Sequence, residues 1–151
     1  MKEIVENIKV KGIFEINVYQ HGKLIDHVED KNHLVNGSQI QLAHLLGGDV
    51  GNRSITKIGF GTNGTEPVDS DTDLTGKFLK TISSVEYPEL GQLKINWILD
   101  VNENNGMAIL EFGLFTDDGT LITRKIRNNP LNKEPDISIE GTWIINFSKE
   151  N

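Results

Sequence analysis

The sequence predicts an all-β domain, mainly antiparallel: a single β-sandwich or partly closed barrel of about eight strands, with one short helix near residues 37–46. Three observations carry this. Apolar and polar residues alternate through most of the segments between turns, the period of two of a half-buried strand. Glycine supplies 15 of the 151 residues and falls mostly between apolar segments, as in a chain of many strands and turns. Helical spacing is convincing only once, so helices do not alternate with strands as a parallel α/β sheet would require. The length suits one domain that buries roughly 68–70% of its unfolded surface, enough to dispense with a disulfide or metal staple.

The elements follow in order. Residues 1–9 are charged and irregular, and are expected to be an arm or tail preceding a domain over 10–151. Val10 to Tyr19 alternates Phe14, Ile16 and Val18 with Glu15, Asn17 and Tyr19. His21-Gly22 is a turn, and Leu24 to Val28 completes a hairpin. The helix places Ile40, Ala43 and Leu46 on one face, widened by Leu42 and Leu45, and this face is expected to pack on a sheet. Asn36 or Ser38 is expected to cap its start and Gly47 to end it in the left-handed conformation. Ile55 to Gly61 is a short strand. Residues 62–76 form a polar loop, long enough to suggest a functional segment. Phe78 to Tyr87 reads as one strand. A meander then follows through Leu93 to Val101, Met107 to Phe115 and Leu121 to Arg127, with turns at Asn104-Asn105-Gly106 and Asp117-Asp118-Gly119. A polar loop holding Pro130 and Pro135 leads to the last strand, Ile137 to Phe147.

Charge and composition remove several functions. Lys and Arg number 15 against 22 Asp and Glu, a net charge of −7, which disfavours a general nucleic-acid binder. Cysteine is absent, excluding disulfides, thiolate metal sites and a cysteine nucleophile. Apolar runs such as Trp97-Ile98-Leu99 are far too short for a membrane-spanning helix. The opening MKEIVENIKV carries Glu3 and Glu6 where a signal peptide needs an apolar stretch.

Candidate chemistry is sparse. Asp69, Asp71 and Asp73 alternate as at the start of an EF-hand Ca²⁺ loop, but Leu74 stands at the glycine position and Lys80 at the bidentate glutamate position. Turn capping is therefore the preferred reading of these three residues. His21, His27, His33 and His44 have no metal-ligand spacing; on one extended strand His27 and His33 would be about 20 Å apart. No G-x-S-x-G nucleophile elbow occurs, and Gly59, Gly61 and Gly64 lack the Lys-Ser/Thr pair of a phosphate loop. Trp97 and Trp143 could form a glycan-binding shelf, but their aliphatic neighbours favour a buried position. Arg124, Lys125 and Arg127 form a basic cluster expected either to meet an acidic neighbour or to be an ordinary charged outer face.

Three stretches, taken together, carry a family resemblance: NGSQIQLAHLLGG (36–48), ITKIGFGTNGTEPVDSDTDLTGKF (55–78) and INWILDVNENNGMAILEFGLFTDDGTLITRKIRNNPLNKEPDISIEGTWIINF (95–147). Their order resembles that of small structural proteins of tailed bacteriophages and prophages, of the tail, collar and fibre-associated kind. A small-residue helix precedes an I-x-x-I-x-F-G-T strand, then a P-x-x-x-D-T-x-L loop, an E-F-G-L-x-x-x-D-G-T-L hairpin and a closing G-x-W-x-I-x-F strand. The resemblance implies a non-enzymatic virion subunit without cofactors, assembled in a host cytoplasm, whose partners are other virion proteins and copies of itself. It assigns no catalytic residue. The alternatives are a β-sandwich that binds a host-surface glycan or receptor, a capsid decoration protein and, last, a small hydrolase on a β-scaffold.

The residues expected to reach a neighbouring subunit are Ile4, Val5 and Ile8 in the N-terminal segment, Pro67 and Val68 in the 62–76 loop, and Arg124 and Arg127. Deleting residues 1–8 is expected to leave the domain folded, by circular dichroism, while weakening its incorporation into particles. Normal particle assembly by the truncated protein would refute that role.

Overall fold

A computed structural model describes residues 7–149. The alternation of the first predicted strand extends further than expected, and β1 covers Ile8–Gln20. Ile8 and Lys9, assigned from sequence to an arm, are thus part of the sheet, while Ile4 and Val5 lie outside the described residues. At His21 and Gly22 both backbone φ angles are positive, 49° and 76°, as the two central residues of a type I′ hairpin require. The chain returns as β2 (Lys23–Lys31) beside β1.

Asn32 then carries the chain from one sheet to the other, where β3 (His33–Leu34) joins β9 (Leu121–Asn132). The helix α1 (Asn36–Leu46) follows, then β4 (Ile55–Gly61), β5 (Phe78–Thr81), β6 (Ser84–Glu86), β7 (Gln92–Leu99), β8 (Ala108–Thr116) and β10 (Ile137–Lys149). The first sheet has the order β2-β1-β10-β7-β6 and the second β3-β9-β8-β4-β5. All their pairings are antiparallel. The two sheets pack face to face without closing into a barrel, so the molecule is a β-sandwich. No helix among the described residues is long and apolar enough to cross a membrane.

The expected meander does not form. The chain changes sheets at β2–β3, β5–β6, β7–β8 and β9–β10. The segment Phe78–Tyr87, read as one strand, is two: β5 pairs with β4 in the second sheet and β6 with β7 in the first, with Ile82 and Ser83 at the corner. The strand expected to stop at Arg127 runs on to Asn132, through Pro130. A proline is tolerated there because the ladder with β8 is interrupted between the Glu111–Ile126 and Ile109–Leu131 pairs, so no cross-strand partner awaits its missing N–H.

The core lies between the sheets. Phe14, Trp143, Trp97 and Ile139 from the first sheet meet Phe60, Phe112 and Leu114 from the second. Phe14 packs its ring 4.9 Å from both Trp143 and Phe112, and Phe60 meets Trp97 edge-on at 5.4 Å. Both tryptophans are almost completely buried, as their aliphatic neighbours predicted, so neither contributes to an exposed aromatic shelf. Asn32, at the sheet-to-sheet corner, satisfies the polar edge of this core. With its amide oriented to meet every partner, it donates to the Gly12 carbonyl (2.8 Å), accepts from the Trp143 indole N–H (2.9 Å) and lies against the Thr123 hydroxyl.

A second staple joins two of the sheet crossings. Lys133 is fully buried, and its ammonium donates to Asn105 Oδ1 (2.8 Å) and to the carbonyls of Val101 and Glu134 (3.3 Å each). It thereby ties the β7–β8 connection to the β9–β10 connection. Burial pushes its pKa below the usual lysine value.

Gly141 faces Trp97 across the β10–β7 ladder, and a Cβ placed there would come within 2.0 Å of the Trp97 ring. Gly141→Ala is therefore expected to lower stability by about 1–3 kcal/mol, through displacement of a large buried ring. Urea unfolding followed by tryptophan fluorescence measures it, and an unchanged midpoint would contradict this packing.

Candidate docking surface

The long 62–76 loop is fastened down by charge. It connects β4 to β5 across the outer face of the second sheet, where Glu111 is fully buried and Arg124 almost so. Arg124 Nε donates to Glu111 Oε1 at 3.0 Å. The other Glu111 oxygen accepts the backbone N–H groups of Asn63 (2.7 Å) and Thr75 (3.0 Å). Arg124 completes the clasp by donating to the carbonyls of Asn63 (2.8 Å) and Thr65 (2.9 Å) and to Asp71 (3.1 Å). Gly61 makes room, since a Cβ there would meet the Glu111 carboxylate at 2.6 Å. Leu74 is pressed down with Phe115, Leu121 and Val35 into a small second core.

This corrects the reading of Arg124 as a contact offered to a neighbour. Its guanidinium is consumed inside the molecule, because strand alternation places it beside Gly113 on the face that the loop covers. The alternating aspartates do not converge. Asp71 holds Arg124 and the Val68 N–H, Asp69 pairs with His33 at 2.7 Å, and Asp73 pairs with Lys77 at 2.7 Å. Among the described residues, no group of three His, Asp or Glu side chains is placed to hold one metal ion. The remaining histidines are likewise separate: His21 faces Asp136, His27 faces Asn17 and His44 faces Asp49. His27 and His33 do not share a strand, because Asn32 turns the chain between them.

Arg127 and Pro67 do come together. They line a polar cleft of about 520 Å³ with Lys31, Lys125, Glu66 and Asn129. Two of its cations are engaged already: Lys125 with Asp30 at 2.7 Å and Arg127 with Asp26 at 3.5 Å. Val68 is exposed beside it on the loop, and Ile8 is exposed at the start of β1.

The more distinctive surface lies at the end of the sandwich where β1 starts, under the helix. Here the helix departs from the expected amphipathic packing. Its buried residues are Ser38 and Gln41, while Ile40, Leu42 and Leu46 face outward, Leu46 at 93% exposure. The cause is polar. Gln41 Nε2 donates to Thr116 Oγ1 and to the Asp118 carboxylate (2.9 Å each), and Gln41 Oε1 accepts from Arg53 (2.7 Å). Anchoring the helix to the β8–β9 hairpin in this way turns its apolar residues out. The helix start is also not capped as expected. Val35 is the N-cap and gives no side-chain cap, the Asn36 N–H donates to the Asp69 carbonyl (2.8 Å), and Ser38 Oγ donates back to Val35. Gly47 is right-handed; Gly48, at φ 92°, takes the positive conformation.

Between this helix and the first sheet opens a groove of about 820 Å³. Val10, Leu42, Leu45, Leu93, Ile145 and Phe147 supply much of its apolar wall. Tyr87 also lines it, and Tyr87 and Leu90, on and beside the β6–β7 turn, are 78% and 99% exposed. Sequence periodicity missed this surface because it assigned the helix face to the core. The available signal was local: Leu42, Leu45 and Leu46 spread apolar character around too much of a short helix for one face to bury it all.

No family model, curated protein or solved structure matches the chain.

Two outcomes test the electrostatic framework. Arg124→Met strands the buried Glu111 carboxylate and is expected to cost about 3–5 kcal/mol in urea unfolding. It should also speed amide exchange at Asn63 and Thr75, and unchanged exchange would contradict the clasp. The second concerns Asp118, whose pKa lies far below its ordinary value of 3.8, held down first by the Thr116 hydroxyl, then by the Gln41 amide and Thr120. A depressed folded-state pKa means that the contribution is present in full above the unfolded value and is lost as pH falls below it. The urea midpoint is therefore expected to drop below about pH 4, and to drop less steeply in Asp118→Asn. Equal slopes in the two proteins would count against it.

Proposed function

We propose that this chain is a non-enzymatic structural component of a phage virion, built into the tail, collar or fibre region through subunit–subunit contacts. The observation that carries the reading is the apolar surface at one end of the sandwich. Leu46 and Leu90 stand almost fully in solvent next to residues that line a groove, and Tyr87, largely exposed, is on its wall with further apolar side chains. Exposed apolar surface that borders such a groove is what a protein–protein contact covers, and leaving it in water is unfavourable. The charged groups support the same reading from the other side. The buried Glu111, Arg124 and Lys133 are all bound up in holding loops and sheet crossings in place, which is the work of a rigid building block. The order of helix, glycine strand, aspartate loop and closing tryptophan strand, similar to that of tail-associated virion proteins, supplies the virion half of the proposal.

Immunogold labelling of phage particles released from cells that carry the gene tests it. Label at one fixed position on the tail, collar or fibres, with the protein present in purified particles, is the expected result. Particles that lack the protein, in cells that express it, would overturn the proposal.

A further inference from the structure

We propose that the apolar groove receives the N-terminal segment of a second copy of this chain, with Ile4 and Val5 as its apolar anchors. The virion reading above gives the contact its use; the geometry stands apart from it. Ile8, Val10 and Phe14 share one face of β1 by strand alternation, and Phe14 is in the sandwich core. Moving outward along that face, burial falls away: Phe14 is fully enclosed, Val10 lines the groove, and Ile8 is 72% exposed. Its cross-strand partners behave in the same way, Trp143 opposite Phe14 being buried and Phe147 opposite Val10 lining the groove. The β1–β10 ribbon therefore runs on past the core, and there its inward face lines the groove opposite the helix.

The chain that leads into this ribbon is MKEIVEN, and it joins β1 at the groove mouth. Seven residues reach roughly 23–25 Å when extended, far enough to cross from one mouth to another that faces it. β1 runs toward the mouth from Phe14 to Ile8, so a segment continuing that direction leaves its own groove behind. To enter its own groove, a chain leaving β1 at Ile8 would have to turn back against the direction of the strand. Donation to a second copy needs no reversal, and reciprocal donation buries both grooves in one closed, two-fold contact. Ile4 and Val5 match the apolar wall formed by Val10, Leu42, Leu93 and Phe147.

Analytical ultracentrifugation of the full-length protein over a concentration range tests this, alongside the full-length Ile4→Asp/Val5→Asp variant, whose changes lie outside the described fold. Wild type is expected to form a dimer or larger assembly and the variant to be monomeric. A fluorescent peptide of residues 1–7 should then bind the variant, and an added Leu42→Glu, at an exposed position on the groove wall, should weaken that binding at least tenfold. Three results would overturn the proposal: a monomeric wild type, as when the segment occupies its own groove; a variant that assembles as wild type does; or a peptide that binds with and without Leu42→Glu equally. These results concern purified protein, so their failure is separable from absence of the protein in particles.

Discussion

The buried contact between Glu111 and Arg124 is the constraint on which the second sheet depends. Two opposite charges on neighbouring strands, β8 and β9, are taken out of water, and each then needs every remaining hydrogen-bonding position filled. The 62–76 loop fills them with its own backbone: two N–H groups on the glutamate, two carbonyls on the guanidinium. In return the loop is held flat, Leu74 is pressed onto Phe115, and both faces of β8 become interior. Such a pair adds little net stability over an apolar substitute of equal volume. What it supplies here is position, because the loop backbone must bring two N–H groups to one ion and two carbonyls to the other at once.

The same logic governs the places where the chain changes sheets. A crossing exposes backbone groups at the edge of an apolar core, where they must be paired or hydrated. Asn32 solves this at β2–β3 by serving Gly12 and the Trp143 indole together. Lys133 solves it for two crossings at once by drawing Val101, Asn105 and Glu134 around one ammonium. Polar side chains thus do the corner work of the sandwich, and the tryptophans and phenylalanines fill the interior between them. The helix is the element that this economy leaves unbalanced. Because Gln41 and Ser38 are drawn inward by hydrogen bonds, Ile40, Leu42 and Leu46 are turned out, and the open end of the sandwich becomes an apolar surface.

Local pattern determined much of this protein. Alternation placed β1, β7 and β10 to within a few residues, since a strand with one face in the core must repeat every second residue, and glycine and turn residues bounded β4 and β8. The turns at His21-Gly22, Asn104-Asn105-Gly106 and Asp117-Asp118-Gly119 were legible because positive φ at or beside those positions demands glycine or asparagine chemistry. The aliphatic neighbours of Trp97 and Trp143 were enough to assign both to the core. Tertiary structure alone decided the rest. Which sheet a strand joins leaves no trace in its own alternation, so the division of Phe78–Tyr87 into β5 and β6 and the loss of the meander could not be read from those residues. Arg124 looked like a surface cation because its burial depends on Glu111, thirteen residues away in the chain, and on loop carbonyls some sixty residues away. The outward face of α1 was hidden for the same reason: Thr116 and Asp118, which turn Gln41 inward, are distant in sequence, and a hydrogen bond between distant residues has no periodicity.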